Sequence, residues 1–377
     1  MTNIFLAFFC LLPWGSFLFR QIDIWHSQGQ FVQVGILILF CYSFFEKPKY
    51  VQVLNKPLGS FIAWAGLITA YSWITVFSKT QHYPMKIFMP FFNLLCLVWF
   101  YKLIVEYLDN TSIERILKWL KYSVIFLLFY CVLQYLKLDE FLKGINNTGD
   151  RLVGTIGNSM HLAGFLAILQ PLFFKKSREN ILCLILLWLL ILLTGSATGL
   201  VTGIGVALFW LWFKNRKVAW IATGLSVISL VGLYLVKRSF FFNSDRFRVW
   251  GLVCKAIKNK FITGFGLGTY GLSGIGDTSI HWQHVHNEYL QVIFEIGIIG
   301  LVLILWCIWD YFRKFNSLKT DLTIRLASIF FGFCLLSGVM FVAHLFLTSV
   351  IAMFSFASLY SIRGENYGNV DQIGITK

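Results

Sequence analysis

The chain has 377 residues, of which 58% are hydrophobic and 13% charged, with a formal net charge of +15. A soluble globular domain is nearer half apolar and a quarter charged, so water is excluded as the main solvent of this fold. The positive charge does not point to nucleic acid, because the basic residues stand in short clusters at the ends of apolar runs, the pattern of cytoplasmic loops in membrane proteins.

Met1-Thr2-Asn3 lacks the basic stretch of a secretory signal, and no small-residue cleavage site follows the first apolar run, so that run reads as a retained span. A bilayer needs about 20 residues at helical rise. The apolar runs predict twelve spans, near residues 4–19, 31–45, 59–77, 87–105, 121–136, 160–174, 181–195, 198–213, 218–236, 291–312, 325–342 and 345–360. With the N-terminus inside, successive cytoplasmic loops hold Lys47, Lys49 and Lys56; Arg115, Lys118 and Lys121; Lys175, Lys176 and Arg178; Lys214, Arg216 and Lys217; and Arg313, Lys314 and Lys319. The short opposite loops are poorer, with Arg20, Lys79 and Lys86. This asymmetry places both termini in the cytoplasm, and a bacterial inner (plasma) membrane is the expected location. Two polar segments then face outward, 137–159 and the longer 237–290.

The expected architecture is an all-α polytopic membrane protein of about twelve transmembrane helices. Residues 1–360 form one transmembrane domain that includes a periplasmic loop, 237–290, between helices nine and ten, and 361–377 form a short cytoplasmic tail. The eight cysteines lie almost all in apolar runs with no C-x-x-C pair, which argues against a disulfide framework or a zinc site. Gly195, Gly199 and Gly203 repeat every fourth residue and predict close helix packing. Asp310 is expected to reach the cytoplasmic surface.

The long loop carries the chemistry-bearing residues. It runs through Asp245-Arg246-Phe247-Arg248-Val249-Trp250, then Gly264-Phe265-Gly266-Leu267-Gly268, then His281-Trp-Gln-His284-Val285-His286-Asn287-Glu288, and ends in Glu295-Ile-Gly297-Ile-Ile-Gly300. Three histidines so close invite a metal reading, but no carboxylate stands at a zincin spacing. Gly266 to Gly271 formally satisfies G-x-G-x-x-G, yet no strand precedes it, so a nucleotide site is discarded. The glycines either make a tight turn that brings backbone N–H groups near phosphate, or merely make the turn.

An arginine four residues before a tryptophan, a Gly-rich turn, and His-Asn leading into Glu-x-Gly-x-x-Gly together resemble the signature region of bacterial O-antigen ligases and polymerases. Arg151-Leu-Val-Gly154-Thr155-Ile-Gly157-Asn158 resembles a second segment of that family, so the likeness covers roughly residues 150 to 310. One departure stands out. Many relatives carry Ser-Arg-Gly at the start of the eighth span, where this chain has Ser196-Ala197-Thr198, which leaves Arg151 or Arg248 to take that arginine's role.

The resemblance implies a membrane glycosyltransferase. It would move a glycan from an undecaprenyl-diphosphate carrier to an acceptor hydroxyl, on lipid A core for a ligase or on another carrier-linked glycan for a polymerase, by a metal-independent, inverting transfer without cofactors. Membrane lipids and polysaccharide assembly proteins are the implied partners. A guanidinium fork matches diphosphate oxygens and stays charged, which suits Arg246. Histidine titrates nearest working pH, which makes His286 the candidate to take the acceptor's proton. Arg151, Arg248, Asn287, Glu288, Glu295, Gly266 and Gly268 are candidate substrate-binding residues. Asn287 and Glu288 either orient the His286 imidazole or cap the next helix, Glu295 pairs with a loop arginine, and Asp150 and Asp245 are local partners of Arg151 and Arg246.

Blander roles compete with these. An interfacial arginine often meets lipid headgroups, a reading strongest for Arg248 and Arg238. A histidine beside a span is often only hydrogen-bonded there. At the level of function the rivals are a transporter or flippase for an anion or lipid-linked sugar, which would show charged or broken helices at mid-membrane, and a scaffold for polysaccharide assembly.

Overall fold

The computed structural model describes residues 1–15, 24–49, 54–77, 84–138, 151–236, 244–273, 284–340 and 342–362. Among them the regular elements are helices, with no strand: α1 (Thr2–Leu11), α2 (Ile24–Ser43), α3 (Lys56–Phe77), α4 (Pro84–Tyr107), α5 (Asn110–Tyr135), α6 (Ser159–Leu169), α7 (Arg178–Leu193), α8 (Ala197–Lys214), α9 (Arg216–Val236), α10 (Ser244–Ile257), α11 (Glu288–Leu318), α12 (Asp321–Ser337) and α13 (Phe346–Ser361). Five are long and apolar enough to cross a membrane: Met89–Tyr107 in α4, then α5, α8, α9 and α11. Thr2–Trp14, Gln30–Ser43, Ser159–Phe173 and Phe346–Ser361 are apolar but shorter.

Two helices differ from the sequence expectation in ways that matter. The fifth begins not near residue 121 but at Asn110, because Asp109 caps it by accepting from the Ser112 N–H at 2.8 Å. Arg115, Lys118 and Lys121 therefore stand on a helix rather than in a loop. The sixth ends early, since Pro171 cannot continue the α-helix and Gln170–Phe173 tighten into a 3-10 turn. Its residues are buried from His161 to Phe173, so this short helix is a core element wrapped by others.

Small residues let α8 press against α6, as the four-residue glycine spacing predicts. A Cβ added at Gly199 would lie 2.3 Å from the Ala163 Cβ, and one at Gly205 would lie 2.5 Å from Leu335 Cδ1 on α12. The buried Gln170 side chain donates to the Gly203 carbonyl at 2.7 Å, a cross-helix bond of the kind that holds helices together in lipid. Gly195 is instead a turn residue at φ +65° with open space where a Cβ would go.

The segment between α9 and α11 builds a small core of its own. Val249, Val253 and Ile257 of α10 pack with Tyr270, Val285 and Phe294. This seats the loop on α11, which is broken at Gly297 (φ 76°, ψ −179°), although the apolar run 291–312 reads as one continuous span. The break frees backbone groups that lipid cannot satisfy. Phe265 and Gly266 N–H donate to the Phe294 and Glu295 carbonyls at 2.8 and 2.7 Å, Trp64 Nε1 donates to the Ile296 carbonyl at 2.8 Å, and Ile298 N–H donates to the Phe261 carbonyl at 2.9 Å. The Gly-rich turn is thus stapled into the gap. A Cβ at Gly297 would fall 1.9 Å from the Ile262 oxygen, and one at Gly264 would fall 2.5 Å from the Glu295 oxygen.

Candidate functional site

A cavity of about 680 Å³ opens between α3, α4, α11, α12 and α13 beneath the Gly-rich turn. Its walls change character along its length. Gly268, His284, Glu288, Gln291, Glu295 and His344 line one end, and Leu97, Ile304, Ile308, Phe330, Met353 and Phe356 line the other. The cavity is therefore amphipathic, with ionisable groups at the loop end and an apolar shaft running between the helices.

The polar end is ordered by α11's first turns. Asn287 caps the helix through Oδ1, which accepts from the Leu290 N–H at 3.0 Å. Glu288 does not reach His286. Its carboxylate accepts from the Ala343 N–H at 2.7 Å and lies 3.0 Å from His344 Nδ1, so it orients a different imidazole, one in the α12–α13 connection. Glu295 is buried and accepts from Gln291 Nε2 at 3.1 Å and from the Gly268 N–H, where the sequence suggested a loop arginine. Gln291 also takes the Val285 N–H on Oε1 at 3.1 Å and brings Nε2 within 3.1 Å of His344 Nε2. The His284 and His344 rings stand 4.6 Å apart. Burial opposes charge on His344, yet the Glu288 carboxylate prevails and lifts its pKa to about 9. His284, buried and beside the other histidines, is pushed down to about 2 and stays neutral.

Arg246 and His286 lie together beside this cavity, on its α6 and α12 side. Trp250, one helical turn after Arg246, donates from Nε1 to the Val285 carbonyl at 2.9 Å. The arginine-to-tryptophan spacing thus has a structural reason, because one face of α10 both carries the guanidinium and pins the histidine segment. Arg246 donates to the Val339 carbonyl at 3.0 Å and points its other nitrogen at Met160 Sδ, 2.8 Å away. His286 adopts φ 57°, a left-handed backbone conformation that few non-glycine residues take. Burial first, and then the Arg246 charge, lower its pKa to about 4. His161, at the start of α6, is close enough to feel both Arg246 and His286. Tyr289 links the two groups: it lines the cavity, donates from its hydroxyl to the Cys334 carbonyl at 2.8 Å, and places its ring beside Gly338, next to Val339.

The second motif makes a tight entrance to α6. Gly154 (φ 56°) and Gly157 (φ 78°) turn the chain, Gln134 Oε1 accepts from the Val153 and Gly154 N–H groups, and Asn158 caps α6 by accepting from Met160 and His161 N–H. This fixes His161 and Met160 against Arg246. Arg151 itself is exposed, as is Arg248 on α10. Ser196 caps α8 through the Gly199 N–H at 3.2 Å, with Ala197 the first residue of that helix.

Residues 182–305 match the O-antigen ligase family model. The O-antigen ligase match takes in about a third of the chain, including α10, the Gly-rich turn, the histidine segment and the broken helix as far as residue 305. A protein provisionally named a polysaccharide ligase in Rickettsia conorii is 31% identical over 86 residues, which are 20% of this chain and 21% of that one. Its counterpart in Rickettsia felis, of the same provisional name, is 28% identical over 88 residues, 21% of this chain and 22% of that one. The chain thus spans about a fifth of the length of the curated relatives it matches.

Sequence reading missed His344, Tyr289, Gln291 and His161 as members of the site. A histidine in the two-residue gap between the last predicted spans was the available signal for His344; for His161 the signal was a lone imidazole just inside an apolar run, next to the second motif. Among the described residues no group of three His, Cys, Asp or Glu is arranged to hold a metal ion, and His281 and Asp150 lie outside them. Asp310, near the other end of α11, is buried and held by Arg313 at 2.8 Å and by the Tyr360 hydroxyl at 2.6 Å.

Proposed function

We propose that the protein is a membrane glycosyltransferase of the O-antigen ligase or polymerase type. It transfers a glycan from an undecaprenyl-diphosphate carrier to an acceptor hydroxyl at the periplasmic face, without metal and with inversion. The amphipathic cavity carries this reading: an apolar shaft suits the first part of a prenyl chain, and the ionisable end suits the diphosphate and the sugars. The O-antigen ligase match and the polysaccharide ligase relatives support it.

In this mechanism Arg246 holds the diphosphate with its fork, and Arg151 and Arg248 meet its outer oxygens or the glycan. The acceptor oxygen attacks the anomeric carbon as the carbon–oxygen bond to diphosphate breaks, and the diphosphate leaves with the electron pair. The acceptor's proton passes to the neutral His286 ring. Alone with Arg246, His286 is a weak base, but a bound diphosphate offsets the arginine's charge and returns the imidazole toward its ordinary value. Glu288 and Glu295 position His344 and Gln291 at the sugar end, while Asn287, Gly266 and Gly268 hold the loop in shape around it.

Purified protein given carrier-linked glycan and acceptor, with chelator and without nucleotide, is the direct test. Transfer in the wild type and its loss in His286→Ala and Arg246→Ala is the expected result; undiminished transfer in both variants overturns the site. Ligase and polymerase separate in a deletion strain, where full-length carrier-linked polymer without capped lipopolysaccharide means ligase and single repeats mean polymerase.

A further inference from the structure

A second pocket, of about 350 Å³, lies at the opposite end of the helices from the histidine cavity. Arg325, near the start of α12, lines it, whereas Arg246 is held by Val339 just beyond the other end of that helix; fourteen residues at helical rise put about 20 Å between them. Arg115, Lys118 and Lys121 reach the pocket from α5 and Lys175 from the turn before α7, with Leu117 and Leu172 as apolar walls. Five cations thus line the pocket with one carboxylate, Glu114, which Arg325 occupies at 2.7 Å, while Asp321, already paired with Lys214, lies near Lys175 and Arg325. Such a concentration of like charge in one hollow attracts anions to it.

Two further observations say what kind of anion. Asn180 is buried in the wall, donates to the Lys175 carbonyl at 2.8 Å, and leaves its Oδ1 with no donor among the described residues. A ligand that satisfies it brings a hydroxyl or an ammonium hydrogen as well as negative charge. On the outer surface of α5, Trp119 and Tyr122 are exposed, with ring centroids 5.9 Å apart, in the same turns as Lys118 and Lys121. Tryptophan and tyrosine exposed on a spanning helix favour the headgroup layer, which puts this end of α5, and the pocket beside it, at that depth. Lys121 additionally lies over the Phe173 ring, half held toward the pocket wall.

We propose that this pocket is a binding site for an anionic phospholipid headgroup of the phosphoglycerol class. The phosphate is held by the lysines and Arg115, and the headgroup hydroxyl donates to Asn180 Oδ1. The site is independent of the transfer reaction and stands or falls without it.

Native mass spectrometry of the full chain in detergent tests it, with dioleoyl phosphatidylglycerol, dioleoyl phosphatidylcholine and sn-glycerol 3-phosphate as probes. Phosphatidylglycerol is expected to bind in preference to phosphatidylcholine. Its dissociation constant is expected to rise about fivefold in Lys118→Gln and about 25-fold in Lys118→Gln with Lys121→Gln, the value of one and two basic residues at an anionic surface. Lys118→Arg should retain affinity, and Lys217→Gln, exposed at the same end but outside the pocket, should leave it unchanged. Equal binding of phosphatidylcholine, unchanged affinity in the double variant, or the same loss in Lys217→Gln overturns the site. Displacement of the lipid by millimolar sn-glycerol 3-phosphate overturns the lipid assignment in favour of a soluble phosphate ester.

Discussion

Arg246 and His286 are neighbours, and burial together with the arginine's charge sets how the histidine titrates. The guanidinium shares the half-buried space around His286 and disfavours its protonation, so the free protein holds a neutral imidazole beside a fixed cation. If His286 takes the acceptor proton, kcat/KM should fall on the acid side as pH drops through about 4, because the protonated ring has no lone pair to offer. A pH profile with its acid limb near 6.5 would remove His286 from that role. Arg246→Lys keeps the charge but loses the fork, and losing one charge-assisted hydrogen bond predicts a fall of about 10- to 100-fold in kcat/KM. The Glu288–His344 pair makes a separate prediction about stability. His344 titrates higher in the folded chain, at about 9, than the ordinary 6.5, so its contribution is complete below pH 6.5 and is lost as pH rises through 9. The difference in melting temperature between wild type and His344→Gln should therefore shrink between those values, and a constant difference would show that the pair is not charged.

At the scale of elements, the broken α11 and the Gly-rich turn are one device. A helix interrupted at Gly297 offers three carbonyls, and the turn and Trp64 supply three donors, so each element satisfies what the other leaves open. Gly297→Ala forces a left-handed residue with a Cβ against the Ile262 carbonyl. That backbone region is open essentially to glycine alone and costs another residue about 1–3 kcal/mol, and the clash adds to it, so thermal unfolding should shift down by several degrees together with loss of the cavity's roof. A variant as stable as wild type would mean that the turn is not docked there. Broken helices are also a feature of transporters; here the break receives the Gly-rich turn and borders the cavity through Glu295 and Ile296.

For the whole molecule, the ionisable groups divide by end. The histidines, Arg246 and the buried glutamates gather where α11 begins and α12 finishes, whereas Arg325, Lys118 and Lys175 gather at the opposite end. The orientation that follows from the positive-inside rule puts α10 outside. Cys254 on α10 is exposed, so a membrane-impermeant maleimide should label it in intact spheroplasts, with the signal lost in Cys254→Ser. Labelling only after permeabilisation would invert the proposed topology.

The sequence by itself determined the helical, membrane-embedded class, the segments that carry the O-antigen ligase likeness, and the pairing of Arg246 with His286 as the residues to watch. These are legible because apolar run length and motif spacing are local properties of the chain. Only the tertiary structure decided that Glu288 serves His344 rather than His286, that Gly266 and Gly268 spend their N–H groups on Glu295, that α6 is a buried half-span, and that two pockets of opposite character lie at the two ends. The reason is physical: His344 is 56 residues from Glu288 and Arg325 is 211 from Glu114, and no periodicity along a chain records which buried charge will need which distant partner.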